Sequence, residues 1–297
     1  MNAIDVLKDI CLPILVISIM FSMGLTLKKQ DFLFVLKNTR VVSIGLFFQL
    51  AIVPFIAFII VKTLSTDPIM SIGLLLVALC PSSSMSNMFT YIAKANVALS
   101  VSLTVISCFV VPFTLPIVLS WALGHILSES QQIELPVLKT MMTLLLINIT
   151  PIFIGMAIKS NREKLADKLE PYMKKFSITF FAVIITAYII LDLENLSSLF
   201  GRAWIICTAM CIVTLGIGHF ASRLFTKDFR DSVTITIEMA FQNGTLAYFI
   251  AGNILKNNDM MIPIIVHGLI ILVLGSVYTY VMGKKISRIK SQTPQAL

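Results

Sequence analysis

Charge is what this chain has least of. Only 13% of its 297 residues are Asp, Glu, Lys or Arg, while 57% are hydrophobic and the mean hydropathy is +0.93. A soluble domain carries roughly twice that share of charge. The shortage excludes an ordinary soluble fold and leaves a polytopic membrane protein. The cysteines Cys11, Cys80, Cys108, Cys207 and Cys211 all fall in apolar segments. That pattern is not a disulfide framework, and the redox compartment cannot be read from it. The histidines His125, His219 and His267 are scattered over different segments. They supply neither a nucleophile–base pair nor metal-ligand spacing, so no enzyme is expected. The opening MNAIDVLKDICLPILV has no small-residue cleavage signature and places Asp5, Lys8 and Asp9 before its apolar run. It reads as a retained first span rather than a cleaved signal.

Long apolar stretches, by contrast, are abundant. A spanning helix needs about 20 mostly apolar residues. Nine stretches qualify, at about 8–27, 40–61, 70–93, 97–123, 136–158, 173–191, 203–222, 231–255 and 260–283. Of the 23 basic residues, 18 follow the odd-numbered spans; the other side receives Lys8, Lys62, Lys139, Arg202 and Lys256. The positive-inside rule then predicts an outside N-terminus and a cytoplasmic C-terminus. The same bias accounts for most of the net charge of +8, which removes a nucleic-acid partner and makes the lipid bilayer the surroundings. KKQDFLFVLKNTR, residues 28–40, is short and amphipathic and predicts a helix along the inner interface.

Two of the nine stretches contain interruptions. In SIGLLLVALCPSSSMSNMFTYIAK, Pro81 lacks an amide hydrogen and crowds the preceding turn; Ser82, Ser83 and Ser84 can cap a fresh helix. In DSVTITIEMAFQNGTLAYFIAGN, the run Gln242, Asn243, Gly244 interrupts the middle, and Asn and Gly tolerate non-helical dihedrals. Irregular backbone at membrane depth survives only when buried in protein or lining a wet cavity. The two stretches are five spans apart and so run in opposite directions. Spans one to four, within residues 1–124, match the last four spans of residues 134–290 in an inverted sense. Paired interruptions in corresponding members of inverted repeats point to a transporter's binding site. The fold class read here is an all-α membrane protein of nine transmembrane helices with inverted repeats and two crossed discontinuous helices.

The polar residues of these stretches share one depth. Counting about 1.5 Å per residue from the basic residue at each cytoplasmic end, Glu238, Ser86, Asn87, Ser100, Thr104 and Gln49 all lie on the order of 9–15 Å inside a hydrocarbon core about 30 Å thick. Ser100 and Thr104 are four apart and share a helix face. Glu238 is the one acidic residue placed deep in a span, and no Lys or Arg shares its depth. A central carboxylate costs at least about 2.5 kcal/mol unless it is protonated or paired. Amides, hydroxyls and broken-helix carbonyls are neutral oxygen donors of the kind hard cations prefer. One carboxylate among them suits Na⁺, and protonation alone would instead suit a proton site. The helix starts at Ser83–Ser84 and Asn243–Gly244 are expected to offer free amide hydrogens and two positive dipole ends to an anionic substrate group.

At these residues the chain resembles the bile acid:sodium symporters. The resemblance is carried by MGLTLKKQDF at 23–32, FQLAIVP at 48–54, CPSSSMSNMFTYIAKANVALSVSLT at 80–104 and TIEMAFQNGTLA at 236–247. It implies a panel domain (about 8–27, 136–158 and 173–191) beside a core domain (about 40–123 and 203–283) that holds the crossed helices. It also implies two sodium sites. One would use Ser86, Asn87, Ser100, Thr104 and Glu238; the other would use Gln49, Glu238 and Gln242 with backbone carbonyls near Met239 and Phe241. Substrate, a small organic anion such as a bile-acid-like or carboxylate compound, would lie near Ser83, Ser84, Asn243 and Gly244. The chain departs from the resemblance in carrying Ser82–Ser83 where Gly-Gly is usual. It also has Ile271–Leu272 where some bacterial members carry a polar His-Asn pair, with His267 one turn earlier. His267 reads equally as a substrate contact and as a packed histidine bonded to a neighbouring helix.

The function read from the sequence is sodium-coupled import of an organic anion by alternating access, in a bacterial inner (plasma) membrane. Three alternatives stand beside it. One is an arsenite-type metalloid carrier using Cys80, the second a proton-coupled carrier, and the third a membrane sensor, against which weighs the lack of an output domain after Ser291.

Overall fold

The computed structural model describes residues 7–65, 67–127, 133–191 and 193–292. Among the described residues the chain is helical, and the one β-type pairing is a single antiparallel bridge. Helix α1 (Leu12–Thr26) is entered through a π-helical turn at Leu7–Cys11. The short α2 (Lys29–Lys37) occupies the stretch predicted to lie along the interface, and Asp31 Oδ2 accepts the Lys28 amide at 2.8 Å to start it.

Helix α3 (Thr39–Phe47) runs through a π-helical turn, Phe48–Ile52, into α4 (Val53–Leu64). The turn has a local cause. Pro54 has no amide hydrogen and crowds the carbonyl four residues back, so the ladder slips by one residue and the Val53 amide donates to Phe48 O. The same device recurs where α8 (Val137–Leu144) passes through the turn Leu145–Ile149 into α9 (Thr150–Asn161): Pro151 comes next, and the Thr150 amide donates to Leu145 O.

The two interrupted stretches are indeed pairs of short helices. Helix α5 (Pro68–Leu79) is capped by Asp67, whose Oδ1 accepts the Ile69 amide at 2.9 Å. It stops because Cys80, preceding Pro81, is held extended. The chain resumes as α6 (Ser84–Ile92), and Asn96 then caps the long α7 (Val97–Ile126). After α10 (Glu163–Leu191) and α11 (Leu193–Phe225) come α12 (Phe229–Ala240) and α13 (Gly244–Phe249). The latter leads through a π-helical turn, Ile250–Ile254, towards α14 (Met261–Gln292).

Among the described residues, six unbroken helical stretches are long and apolar enough to cross a membrane: Asp9–Thr26, Thr39–Leu64, Val97–Ile126, Val137–Asn161, Ala203–Phe225 and Met261–Gln292. The other three predicted spans are not among these six. Those at 70–93 and 231–255 are each broken into halves too short to cross alone. The third, 173–191, lies within the continuous helix α10 (Glu163–Leu191), and the side chains of 185, 188 and 189 lie outside the described residues. The link between the two predicted repeats falls partly on residues 128–132, outside the described residues.

Apolar packing divides into two clusters. One joins α1, α5, α7, α8, α9, α10, α13 and α14; the other joins α3, α4, α5, α6, α7, α11, α12 and α14. Helices α1 and α9 touch backbone to backbone. A Cβ on Gly24 would sit 2.3 Å from the Ile152 carbonyl oxygen, and one on Gly155 would sit 2.6 Å from that of Phe21. Close approach through small residues is how helices associate where lipid removes the hydrophobic drive.

Candidate functional site

The two breaks meet. Ser82 and Gln242 form the antiparallel bridge. The Ser83 amide donates to the Phe241 carbonyl at 2.9 Å, and the Asn243 amide donates to that of Pro81 at 2.8 Å. Each unwound segment thus satisfies polar groups of the other. This corrects the expectation of free amides at Ser83 and Asn243: those hydrogens are spent on the crossing itself. Asn243 is also buried, and its Oδ1 caps α13 by accepting the Leu246 amide at 3.1 Å. Ser84, in contrast, is exposed and Ser83 half-buried. Of the two helix starts, the one on α6 is therefore the more accessible.

Immediately beside the bridge lies Glu238 of α12, with no exposed surface. Its Oε1 accepts the Ser100 hydroxyl. Its Oε2 accepts those of Ser82 and Thr104, the latter at 3.0 Å. Helix α7 delivers Ser100 and Thr104 from one face, and the α5–α6 break delivers Ser82. Asn87, on α6, lies with its Oδ1 2.7 Å from Ser100 Oγ. Ser86 is fully buried and donates to the Ser83 carbonyl at 2.7 Å, starting α6 and leaving its lone pairs for a further partner.

Proton counting exposes what this cluster lacks. Ser82, Ser100 and Thr104 make the three contacts to the carboxylate. Ser82 also lies 3.2 Å from Thr104 Oγ1, and Thr104 lies 3.0 Å from the Ser100 carbonyl. Ser100 also faces Asn87 Oδ1, and each hydroxyl has one hydrogen, so three protons serve six close oxygen–oxygen contacts. At least three contacts therefore set lone pair against lone pair around a carboxylate. Such a donor set fits a small hard cation, which attracts every lone pair at once.

A second polar group sits alongside. Gln49, on the π-helical turn before Pro54, is buried with both amide atoms lacking a hydrogen-bond partner. Gln242 donates its amide to the Met239 carbonyl at 2.8 Å, while its Oε1 has no partner. Met239 and Phe241 carbonyls each accept one bond, from Gln242 and from Ser83, and a carbonyl has capacity for two. No hydrogen bond ties Gln49 to Glu238 or Gln242; what the residues share is unspent oxygen capacity. The turn bearing Gln49 packs on α12.

His267 is buried on α14, one turn beyond Ile264, which is the nearest neighbour of Gly244 at 3.7 Å from an added Cβ. The His267 carbonyl accepts the Cys211 thiol. Gly244 itself has no positive φ, so the second break does not need glycine's conformational freedom, contrary to the expectation from sequence. Ser82 is the site residue that sequence reasoning missed. Its signal was its place in the break, where the resemblance implies glycine, which has no hydroxyl to offer. A fastening at the far end of α12 also escaped notice: Asn96 Nδ2 donates to Asp231 at 2.8 Å, and Arg230 Nη2 to the Ala95 carbonyl at 3.2 Å.

Buried oxygen donors are thus gathered where the two interrupted helices cross, in a chain whose long apolar helices make it a membrane protein. The chain belongs to the Sodium Bile acid symporter family, whose model matches residues 13–199. That match includes the first break and stops short of the second. The chain is 30% identical over 261 residues to the probable sodium/metabolite cotransporter BASS1 of Arabidopsis thaliana, covering 87% of this chain and 63% of the relative. It is 28% identical over 237 residues to the uncharacterized sodium-dependent transporter YocS of Bacillus subtilis, covering 78% and 71%. To the ileal sodium/bile acid cotransporter of Cricetulus griseus it is 26% identical over 248 residues, covering 82% and 70%. The chain thus spans less than two thirds of the plant relative's length. The relatives are named as transporters, not enzymes.

Proposed function

We propose that this protein is a sodium-coupled secondary transporter that imports a small organic anion by alternating access. The observation that carries the reading is the proton shortage around Glu238. Na⁺ entering among Glu238, Ser86, Asn87, Ser100 and Thr104, with Ser82 beside them, would turn lone-pair conflict into coordination. A second Na⁺ would draw on Glu238, the free oxygens of Gln49 and Gln242, and the Met239 and Phe241 carbonyls. Both ions then pull α7, α12 and the two breaks together. Because Ser83 and Asn243 are bonded across the crossing, tightening one break tightens the other. The exposed start of α6 at Ser83–Ser84 then meets the anion, with Asn243, Gly244 and His267 shaping the opposite side.

In this reading the broken pairs α5–α6 and α12–α13 and helix α10 each cross once. That gives nine spans in two inverted repeats, an outside N-terminus and a cytoplasmic C-terminus in a bacterial inner membrane. Helices α1, α8, α9 and α10 form the panel, and the remaining long helices the core. The relatives' sodium/metabolite and sodium/bile acid names support both the ion and the organic class.

The test is a pair of titrations on purified protein: Na⁺ with and without a candidate anion, and the anion in Na⁺ and in K⁺. Coupling is reciprocal, so each should tighten the other by the same factor. Equal anion affinity in the two salts would overturn sodium coupling. The same shortage also admits a second reading, in which a proton on Glu238 supplies one missing hydrogen. A proton-driven carrier would show anion binding that depends on pH and ignores Na⁺.

A further inference from the structure

Two side chains among the described residues are buried with both amide atoms unpartnered, Gln49 and Asn148. Gln49 falls to the proposed ion pocket. Asn148 lies apart from that pocket. It has no exposed surface and sits on the π-helical turn Leu145–Ile149, three residues before Pro151. The parallel with Gln49, five residues before Pro54 on the turn Phe48–Ile52, is close. Each is an amide on a slipped helical turn that a proline enforces inside an apolar span. Such turns concentrate at functional sites, and an amide buried without partners is destabilising and calls for an explanation.

The surroundings suggest one. Thr140, Leu144, Asn148 and Ile152 recur every four residues and are all buried. The Thr140 hydroxyl, two turns from Asn148, is likewise unpartnered. The turn bearing Asn148 packs on α1 and α7. Leu144 and Ile147 belong to the same apolar cluster as Leu246 and Ala247 of α13, the half-helix that leaves the crossing at Asn243. Asn148 is therefore held in the seam between the proposed panel helices and the face of the core that carries the crossing. A polar side chain there has no use while the seam is shut and gains one when it opens.

We infer that Asn148 is a panel-side binding residue for the transported organic anion, its amide donating hydrogen bonds to the anion's carboxylate or sulfonate oxygens when the seam opens. The inference rests on the transport reading and adds the partner that faces the anion from across the seam. The experiment has two arms. In the first, Na⁺-driven uptake of radiolabelled cholate into proteoliposomes is compared for wild type and Asn148→Leu, together with each protein's Na⁺-dependent shift in Tm. Uptake by Asn148→Leu should fall at least ten-fold while the Na⁺-dependent shift keeps its wild-type size, because no ion ligand is touched. Wild-type uptake by the variant overturns the inference. In the second arm, Asn148→Cys is placed in a Cys11→Ser background, where the remaining native cysteines are buried, and reacted with a membrane-impermeant cationic methanethiosulfonate. Labelling at least ten times faster than in Cys11→Ser alone shows that position 148 meets water during the cycle; no labelling in either Na⁺ or K⁺ overturns the inference. If wild type takes up no cholate, or Asn148→Leu fails to fold, the labelling arm decides by itself. Loss of wild-type cholate uptake with labelling intact would then count against the bile-acid class and not against Asn148.

Discussion

The two helix breaks that cross are built differently. The first is written into its own residues. Pro81 forbids the helix, Cys80 is forced extended, and Ser82 turns a hydroxyl onto Glu238. The second has no proline and no positive φ. Its Phe241, Gln242 and Asn243 leave the helix because the Phe241 carbonyl and the Asn243 amide are claimed by Ser83 and Pro81, and because Asn243 caps the half-helix α13. One break is thus imposed locally and the other is held open by its partner. The proposed ion-binding carboxylate sits on the dependent side, one turn before the break. The arrangement couples the two: whatever holds Glu238 to Ser82, Ser100 and Thr104 also holds the second break against the first.

The largest expected effect comes from removing the charge that joins the sides. Glu238→Gln keeps the shape but leaves the cluster without its carboxylate, and attraction between unit charges in a low dielectric is too large for neutral oxygens to replace. The Na⁺-dependent shift in Tm should disappear; a shift of wild-type size at pH 7 would assign the carboxylate another purpose.

Next come single neutral ligands on the locally imposed side. Ser82→Gly and Thr104→Ala each delete one hydroxyl and should weaken apparent Na⁺ affinity by roughly ten-fold, about 1.4 kcal/mol, near the upper end of the range for an ordinary hydrogen bond. The two substitutions together should lose less than the sum of the single losses, since Ser82 and Thr104 touch each other. Additive losses measured by Na⁺ titration would mean that they serve separate ions.

Gln49→Leu sharpens the contrast by moving two readouts in opposite directions. Replacing an unpartnered buried amide removes a desolvation penalty of about 1–3 kcal/mol, so Tm in K⁺ should rise while the Na⁺-dependent shift shrinks. A fall in Tm in K⁺ would show that the amide is satisfied in the protein after all.

On the dependent side, Asn243→Ala should cost about 1 kcal/mol through loss of the cap on α13. Asn243→Ser should restore most of the lost stability because the neutral hydroxyl can still accept the Leu246 amide. If Ser does not restore Tm, the cap is not what holds the second break. Gly244→Ala should do least. The φ is ordinary and the new methyl meets only Ile264, at van der Waals distance, so a Tm change above about 1 °C, roughly 0.6 kcal/mol in a chain of this size, would reveal a tighter approach than the structure has.

Much of this was legible from the sequence, and the reasons are particular. Pro81 and the Gln242–Asn243–Gly244 run marked the two breaks because each interrupts a long apolar run. Glu238 stood out because a carboxylate at mid-membrane has no cheap explanation. Ser100 and Thr104 were found by their four-residue spacing and shared depth. The features that escaped depend on residues across the gap. Ser82 looked like one of three capping serines until the fold aimed it at Glu238. The amides of Ser83 and Asn243 looked free until each break was found to consume the other's. Asn148 looked like one polar residue in an apolar run, and nothing local says that its amide goes unpaired.

The sequence by itself determined that the chain is a helical membrane protein, where its helices are interrupted, and which single acid is buried at depth. These come from composition, from proline's missing hydrogen and from the cost of charge in lipid, all of which act within a few residues. Only the tertiary structure decided that the two interruptions pair as an antiparallel bridge, that three hydroxyls from two segments share too few protons around Glu238, and that two amides are left without partners. Hydrogen bonds between residues more than a hundred positions apart are fixed by how helices pack, because each buried donor and acceptor must be satisfied by whatever the fold brings within about 3 Å.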